Sequence, residues 1–236
     1  MYGWRARIGL LTPSVNTVSE VEWNEYLPEG VSVHAARLLL DEDVTPAGIE
    51  AMNEDIERAC ESVATAGVDV VVYGVTAGSF LEPGLDERIE DRLAEIAGAP
   101  GIATAASMKR GLRAVGAESV VVATPYTETL NELEHEFLEA AGFDVVDLAA
   151  RGIDEGISLA GPHPGSAYGQ AKRLDTDDAD AVYISGMNYH ALPAVPKLEA
   201  DLGKPVLSSN QVSIWDALRT AGVDYSGIEL GSLFER

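Results

Sequence analysis

The sequence predicts an α/β protein made of two similar halves, each built around a parallel β-sheet. Short apolar runs rich in β-branched residues alternate with longer stretches of helical period. Such alternation is typical of parallel sheets, and strands that are nearly all apolar are typical of sheets covered on both faces. Several motifs also recur in the same order at offsets of 105 to 112 residues. With 236 residues, the chain has room for one large or two small domains.

Six segments have the composition of strands that are buried on both faces. Each is short and largely apolar, and most are rich in valine or isoleucine, which favours a strand over a helix. These strands are separated by stretches long enough to cross back over the sheet. The predicted strands are residues 7–11, 31–38, 68–73, 119–123, 143–148 and 181–185.

Three helices with recognisable ends are predicted between these strands. The first begins with Thr45 as N-cap and Pro46 in the first turn, and an apolar stripe continues it at three- and four-residue spacing. The second covers residues 86–97 and the third residues 128–141, and each is followed by a glycine that can end a helix. The stripe of the first helix comprises Ile49, Met52, Ile56, Cys60 and Val63.

The recurring motifs predict where one half ends and the next begins. One motif places Thr-Pro after an apolar strand, a second carries a strand into a glycine turn, and a third leads from a strand end into a helix closing on Leu-Arg-x-x-Gly. We therefore expect an N-terminal half of residues 1–116, completed by residues 223–236, and a C-terminal half of residues 117–222. The paired segments are 10–13 with 122–125, 73–76 with 185–188, and 102–116 with 207–222.

The charge of the chain limits its partners. Sixteen Lys and Arg residues against 39 Asp and Glu residues give a formal net charge of −23, which disfavours nucleic acid and anionic membranes as partners. Only four of the bases are lysines, and this bias is typical of adaptation to a salt-rich cytoplasm, with an ordinary acidic protein as the alternative. The N-terminus carries no apolar run long enough for a signal peptide or a span, so we expect a cytoplasmic protein.

The sequence contains no motif for a common cofactor or metal. It lacks the glycine-rich patterns of dinucleotide and nucleoside triphosphate sites, the metalloprotease helix and the serine hydrolase elbow. We therefore expect no cofactor and no metal. The single cysteine, Cys60, excludes an internal disulfide. Its place on the apolar stripe favours a core thiol over a nucleophile.

The histidines are not spaced as metal ligands. His135 lies on a charged helix with Glu132, Glu134 and Glu136, and we expect this histidine to be solvated. His190 follows a predicted site loop, where it is either an acid–base group or, as we favour, a structural or exposed side chain.

Five loops are expected to converge on one cleft between the halves. Ligands of open parallel sheets bind beyond the carboxyl ends of the strands, where loop amides and helix N-termini point at them. These loops carry hydroxyls, amides and glycines with few charges, which suits a small carboxylate. The alternative is that they supply only ordinary N-caps and turns. The loops are residues 13–17, 74–79, 125–127, 185–189 and 208–211.

At these loops the chain resembles the aspartate/glutamate racemase superfamily, in its maleate cis-trans isomerase and arylmalonate decarboxylase branch. The resemblance rests on Pro13-Ser14-Val15-Asn16-Thr17, Thr124-Pro125-Tyr126 and Ser208-Ser209-Asn210-Gln211, and it covers the whole chain. It implies two flavodoxin-like halves related by a pseudo-dyad, with a small carboxylate bound between them and no cofactor or metal. It also implies a homo-oligomer.

The departure from the family lies at its two thiol positions. Segments 74–79 and 185–188 resemble the family's cysteine motifs, but Val75 and Gly186 stand where the cysteines are expected. Neither residue can shuttle a proton or add to an alkene, so racemisation by two thiols is excluded. The resemblance and the polar loops together give the candidate residues. Those expected to serve catalysis are Tyr126, Thr76 and the cysteine positions Val75 and Gly186, and those expected to bind substrate are Pro13, Ser14, Asn16, Gly78, Ser79, Asn188 and Asn210.

Two functions from different classes remain open on the sequence. The first is a cofactor-independent isomerase or decarboxylase-like enzyme that acts on a small mono- or dicarboxylate, with Tyr126 or, less favoured, His190 as proton donor. The second is a noncatalytic carboxylate-binding or metabolic-accessory protein that kept the cleft after losing both thiols. A third and weakest reading is an interaction module without a ligand, in which the loops would not meet in one cleft.

Overall fold

The computed structural model describes residues 2–40, 43–161 and 163–236 and shows two α/β halves. The N-terminal half has one four-stranded parallel sheet in the order β2-β1-β3-β4. Its strands are β1 (Ala6–Pro13), β2 (Val31–Leu38), β3 (Val70–Tyr73) and β4 (Gly101–Ala103). Its helices are α1 (Ser19–Tyr26), α2 (Pro46–Asn53), α3 (Ile56–Ala64), α4 (Leu85–Ala97) and α5 (Thr104–Ala114).

The C-terminal half repeats this arrangement with the strand order β6-β5-β7-β8, again parallel throughout. The register is similar but not identical, because Ile8 pairs with Val70 in the first sheet and Val120 with Ala181 in the second, one residue away from the position 112 residues after Val70. The predicted fold class is thereby confirmed. The strands are β5 (Ser119–Ala123), β6 (Asp144–Ala149), β7 (Ala181–Ile184) and β8 (Val206–Ser208), and the helices are α6 (Glu128–Ala140), α7 (Pro164–Leu174), α8 (Val195–Leu202) and α9 (Ser209–Thr220).

One predicted helix is wrong in its extent. The stripe that begins at Thr45 was expected to form a single helix, but α2 ends at Asn53 and α3 begins at Ile56. The Asn53 side chain accepts a hydrogen bond from the Tyr73 phenol and donates one to the Gly78 carbonyl at 3.1 Å. These contacts with the sheet hold the end of α2, so the chain turns before α3 starts.

The halves meet through α5 and α9, which pack against each other. Asp216 on α9 is buried and accepts hydrogen bonds from Ser107 at 2.9 Å and from the Arg110 Nε at 2.7 Å. The Ser213 hydroxyl donates to the Thr104 hydroxyl at 3.1 Å. These bonds cross between the halves, so the loops at the strand ends keep a fixed relative position.

The C-terminal segment 223–236 contacts both halves. The Arg5 guanidinium donates to the Asp224 carbonyl at 2.8 Å, while the Ser232 amide donates to Glu199 on α8 at 2.8 Å. Leu233 and Phe234 are buried in the main core. The assignment of this segment to the N-terminal half therefore stays a prediction.

Candidate functional site

A small cavity of about 40 Å³ lies at the carboxyl ends of the strands, where the two halves meet. Both halves contribute to its lining, and the described lining contains no charged side chain and no thiol. The lining combines apolar side chains with the amide and hydroxyl groups of the predicted loops. The lining residues are Pro13, Val15, Asn16, Leu40, Val44, Ile49, Met52, Gly74, Val75, Thr76, Ala77, Tyr126, Leu159, Met187 and Asn188.

The first loop, after β1, is held in place by its own side chains and by Arg37. The side-chain oxygen of Asn16 accepts hydrogen bonds from the Val18 and Ser19 amides, both at 2.9 Å. The Arg37 guanidinium donates to the backbone carbonyls of Ser14 and Asn16 at 2.9 and 2.8 Å. Asn16 thus lines the cavity while its side-chain oxygen is bonded to its own loop. Arg37 holds the same loop and does not itself line the cavity.

The second loop, after β3, lines the cavity and holds two backbone amides without a partner. The amides of Val75 and Thr76 donate to no other residue within the described chain. The Ser79 hydroxyl donates to the Val75 and Thr76 carbonyls at 3.0 Å, which turns those carbonyls back toward the protein. Gly78 is required by sterics, because a Cβ there would lie 2.0 Å from the Tyr73 hydroxyl oxygen. The loop therefore leaves its N–H groups available for an anionic oxygen.

The corresponding loop of the C-terminal half, after β7, has the same property. The amides of Met187 and Asn188 donate to no other described residue. The Asn188 side chain accepts from the Thr17 amide at 3.0 Å and donates to the Gly156 carbonyl at 3.0 Å, so it ties three loops together. In both halves, residues whose amides have no partner in the described chain thus line the cavity.

Ser209, at the start of α9, joins the two glycine loops beneath the cavity. Its hydroxyl oxygen accepts from the Thr76 hydroxyl at 3.0 Å and from the Gly186 amide at 2.9 Å. These two bonds use both of its lone pairs, so its own proton is donated to the Tyr183 phenol at 2.8 Å. In the sequence Ser209 is only one member of a polar loop, because its contact with Thr76, 133 residues away, has no local signal.

Tyr126 is the buried phenol of the cavity. Its side chain is 4 % exposed and packs edge-on against Phe80, with ring centroids 6.5 Å apart. Burial raises the pKa of its hydroxyl well above the usual value, and the nearby Glu134 carboxyl raises it further. The polar groups of Thr76, Ser185 and the Ala77 backbone near the phenol oppose this rise of the pKa. The phenol therefore keeps its proton at neutral pH.

Two fully or almost fully buried glutamates lie behind the loops. Glu134 on α6 is 0 % exposed and Glu22 on α1 is 2 % exposed. Burial is the main cause that raises the pKa of each carboxyl from 4.5 to about 8. Glu134 shares a helical face with the buried Leu130 and Phe137, whereas the side chain of His135, which was expected to be solvated, is 40 % exposed.

Asn210 and His190 surround Glu22. The Asn210 amide donates to the Glu22 carboxylate at 2.7 Å and to the Met187 carbonyl at 3.0 Å. The His190 Nε2 lies 3.6 Å from the other Glu22 oxygen, and burial lowers the pKa of the imidazole. Asn210 therefore supports the Met187 loop from behind, and His190 faces Glu22 at the edge of the protein.

The predicted site residues divide into two groups. The first group lines the cavity, and the second supports the loops through hydrogen bonds or close packing without appearing in the lining. The first comprises Pro13, Asn16, Val75, Thr76, Tyr126 and Asn188, and the second Ser14, Gly78, Ser79, Gly186 and Asn210.

Cys60 lies on α3, with its side chain 0 % exposed and its Sγ 3.7 Å from the Leu93 carbonyl. Burial raises the pKa of this thiol to about 11. It is not among the residues that line the cavity. The only cysteine of the chain is therefore a packed core side chain.

A larger cleft of 290 Å³ lies elsewhere on the surface, between Phe80 and Phe137, and none of the candidate residues lines it. Within ranges 2–40, 43–161 and 163–236, no group of three or more His, Cys, Asp or Glu side chains is placed to hold a metal ion. Over the same ranges, no helix has the length and hydrophobicity required to cross a bilayer.

Two α/β halves of the same strand order, with an uncharged cavity between them at the strand ends, define the class of this protein as a duplicated parallel α/β fold. The arylmalonate decarboxylase family model matches residues 8–234, and the chain belongs to this family. A maleate isomerase from Nocardia farcinica is 32% identical over 226 residues, which cover 91% of this chain and 89% of that enzyme. This confirms the predicted branch.

Solved structures of maleate isomerases have the same fold. A cysteine-to-alanine variant of the Pseudomonas putida enzyme, crystallised with maleate, is 27% identical and superimposes with a TM-score of 0.93 over 97% of each chain. A cysteine-to-serine variant of the Nocardia farcinica enzyme contains a covalently bound succinylcysteine intermediate. It is 29% identical and superimposes with a TM-score of 0.92, over 97% of this chain and 98% of that chain.

Proposed function

We propose that the chain is a cofactor-independent isomerase or decarboxylase-like enzyme of small carboxylates that works without a thiol. The observation that carries this proposal is the cavity between the halves, where free amides of Val75, Thr76, Met187 and Asn188 flank the buried Tyr126. Amides fixed in this way stabilise negative charge on oxygen without a positive side chain. The charge suited to them is that of a carboxylate or of the enediolate derived from it.

The residues that line the cavity also indicate which class of substrate would fit. Thr76, Tyr126 and Asn188 supply polar groups, and Ile49, Met52 and other side chains supply apolar surface. A carboxylate that carries a second carboxyl group and an apolar substituent matches both kinds of surface. Substituted malonates combine these features, and loss of one carboxyl group from them generates an enediolate.

Tyr126 is the group best placed to deliver a proton. It is the only titratable side chain in the described lining, and its raised pKa keeps the phenol protonated until a strong base forms beside it. An enediolate carbon is such a base. The Thr76 hydroxyl, which affects the Tyr126 pKa, would orient the phenol.

The thiol chemistry of relatives is not available to this chain. The Nocardia farcinica variant carries its intermediate on a cysteine, whereas the cavity here is lined by Val75 and the only cysteine is the buried Cys60. This difference supports proton transfer through oxygen in place of addition of sulfur to an alkene.

The test is incubation in heavy water at high potassium chloride with maleate, alkyl- and arylmalonates, aspartate, glutamate and hydantoins. Proton NMR follows both product and deuterium incorporation. We expect turnover or exchange that Tyr126→Phe abolishes and Tyr225→Phe preserves, because the Tyr225 hydroxyl donates to the Arg236 carbonyl in the C-terminal segment. Activity that survives in Tyr126→Phe would refute its role as the donor.

A noncatalytic carboxylate-binding protein is the second candidate. It is favoured by one observation, namely that Val75 and Gly186 occupy the positions where the family resemblance places cysteines. In that case calorimetry would show binding of malonate or maleate, and NMR would show no product and no exchange in the same samples. Activity gained on restoring cysteine at these positions would then mark the protein as a decayed enzyme.

A further inference from the structure

Glu134 is a fully buried carboxyl group behind the cavity floor. Neither of its oxygens has a hydrogen-bond partner in the part of the chain that the structure describes. An ionised carboxylate at this place would have neither solvent nor a counter-charge, and this cost is what raises its pKa to about 8. Glu134 is therefore protonated at neutral pH and contains a transferable proton in the interior.

Ser185 connects this carboxyl group to the cavity. This residue follows β7 and is 0 % exposed, and its hydroxyl has no partner with hydrogen-bond geometry among the described residues. Its backbone amide donates to the Ala123 carbonyl at 2.9 Å, and the Thr124 hydroxyl next to Ala123 donates to Asn131 on α6 at 2.6 Å. Ser185 therefore lies beside the turn that leads through Tyr126 into the helix of Glu134, and it lowers the pKa of both groups. The other titratable group that faces Glu134 is Tyr183 on β7, and its phenol is committed to Ser209 at 2.8 Å. Ser185 is thus the hydroxyl available between Glu134 and Tyr126.

We propose that Glu134 is a positioning residue that stores a proton and returns it to Tyr126 through the Ser185 hydroxyl. This inference rests on the proposed function, in which Tyr126 protonates an enediolate carbon. There the Tyr126 O–H bond breaks, and the electron pair of the enediolate forms the new C–H bond. The phenolate takes the Ser185 proton while Ser185 takes the Glu134 proton. After product release, a proton from solvent in the cavity reloads Glu134 by the reverse path.

The direction of this transfer follows from acid strengths. A carboxyl group with a pKa of about 8 is a much stronger acid than a buried phenol, so a Tyr126 phenolate is neutralised by Glu134. The negative charge then moves from the cavity lining to a position behind it. Tyr126 is ready to act again without a charge beside the bound carboxylate.

Infrared difference spectroscopy tests directly whether Glu134 is protonated and whether Ser185 contacts it. The parent protein should show a protonated carboxyl band at neutral pH that titrates near pH 8 and is lost in Glu134→Gln. Glu132→Gln, an exposed glutamate on the same helix, should leave the band unchanged. Ser185→Ala should shift the titration midpoint upward, because the Ser185 hydroxyl lowers the Glu134 pKa. Absence of the band, or a midpoint unaffected by Ser185→Ala, would overturn the inference.

Kinetics separates a proton store from a structural role. On any substrate found with the heavy-water panel, Glu134→Gln should lower kcat by about a hundredfold with KM unchanged, and it should remove the fall of kcat above pH 8. A lowered kcat that keeps this pH dependence would assign Glu134 to structure and overturn the relay. If the panel gives no turnover, the proposed function fails, and the infrared spectra still decide whether Glu134 and Ser185 are connected.

Discussion

Glu134→Gln will stabilise the protein by an amount that grows with pH. Between pH 4.5 and about 8 the folded protein retains a proton on Glu134 that the unfolded chain has released. Since the folded state binds more protons there, its free energy of unfolding falls as pH rises, by about 1.4 kcal/mol per pH unit. At about pH 7 the loss reaches roughly 3 kcal/mol, an upper limit because relaxation and water penetration lower the cost of a buried charge. Glutamine carries no such cost.

The assay is urea unfolding of Glu134→Gln and the parent across this pH range at constant high potassium chloride, since urea leaves the ionic strength unchanged. The difference in free energy of unfolding should be small near pH 4.5, increase toward pH 8 and then stay constant. Glu132→Gln controls for the loss of a charge from a chain of net charge −23. Curves for Glu134→Gln and the parent that run parallel over the whole range would refute a protonated Glu134 in the folded state.

Three further outcomes are expected. Gly186→Cys will lower the free energy of unfolding by about 1–3 kcal/mol, because residue 186 has a φ of +106° and a Cβ would lie 3.1 Å from Pro125. Gly98→Ala is the control for backbone strain alone, because residue 98 has a φ of +63° and a Cβ there would meet no other atom. Cys60 will react with a thiol reagent only after unfolding, since burial raises its pKa to about 11, and stoichiometric labelling of the native protein would contradict this. Asn188→Ala will weaken malonate binding, measured by calorimetry, because its side chain joins the loops around the cavity; an unchanged affinity would argue against that role.

The sequence predicts the sheets well because their signal is local. β2 and β5 have the predicted bounds, and the others that were predicted differ by one or two residues at an end. β4 and β8 have only three residues each, which is too few for a pattern of apolar residues to show. The sequence therefore indicated them only as short strand ends that precede a helix. The break between α2 and α3 depends on contacts of Asn53 with Tyr73 and Gly78. Such contacts across the fold have no counterpart in the spacing of apolar residues.

The site was predictable to the level of its loops. Parallel topology places strand ends together, and repeated polar loops therefore indicate the cavity. What the sequence could not show is how each side chain is used there. Arg37 is bound to loop carbonyls, and Ser209 bridges the halves. Glu134 had a signal that was overlooked, since it lies four residues after Leu130 and three before Phe137 on the apolar face of α6.

The internal duplication explains why Glu134, and not Glu22, is assigned the role of a proton store. The two glutamates are 112 residues apart, the same offset that separates the two Thr-Pro motifs, so they occupy equivalent positions of α1 and α6. Both are buried, and the pKa of each is raised to about 8. Their neighbours differ, because Glu22 is bound by Asn210 and faces the half-exposed His190, whereas Glu134 faces Ser185 and Tyr126. Equivalent carboxyl groups thus face a half-exposed histidine in one half and the cavity phenol with its neighbouring hydroxyl in the other, and only the second has the neighbours that the proposed proton store requires.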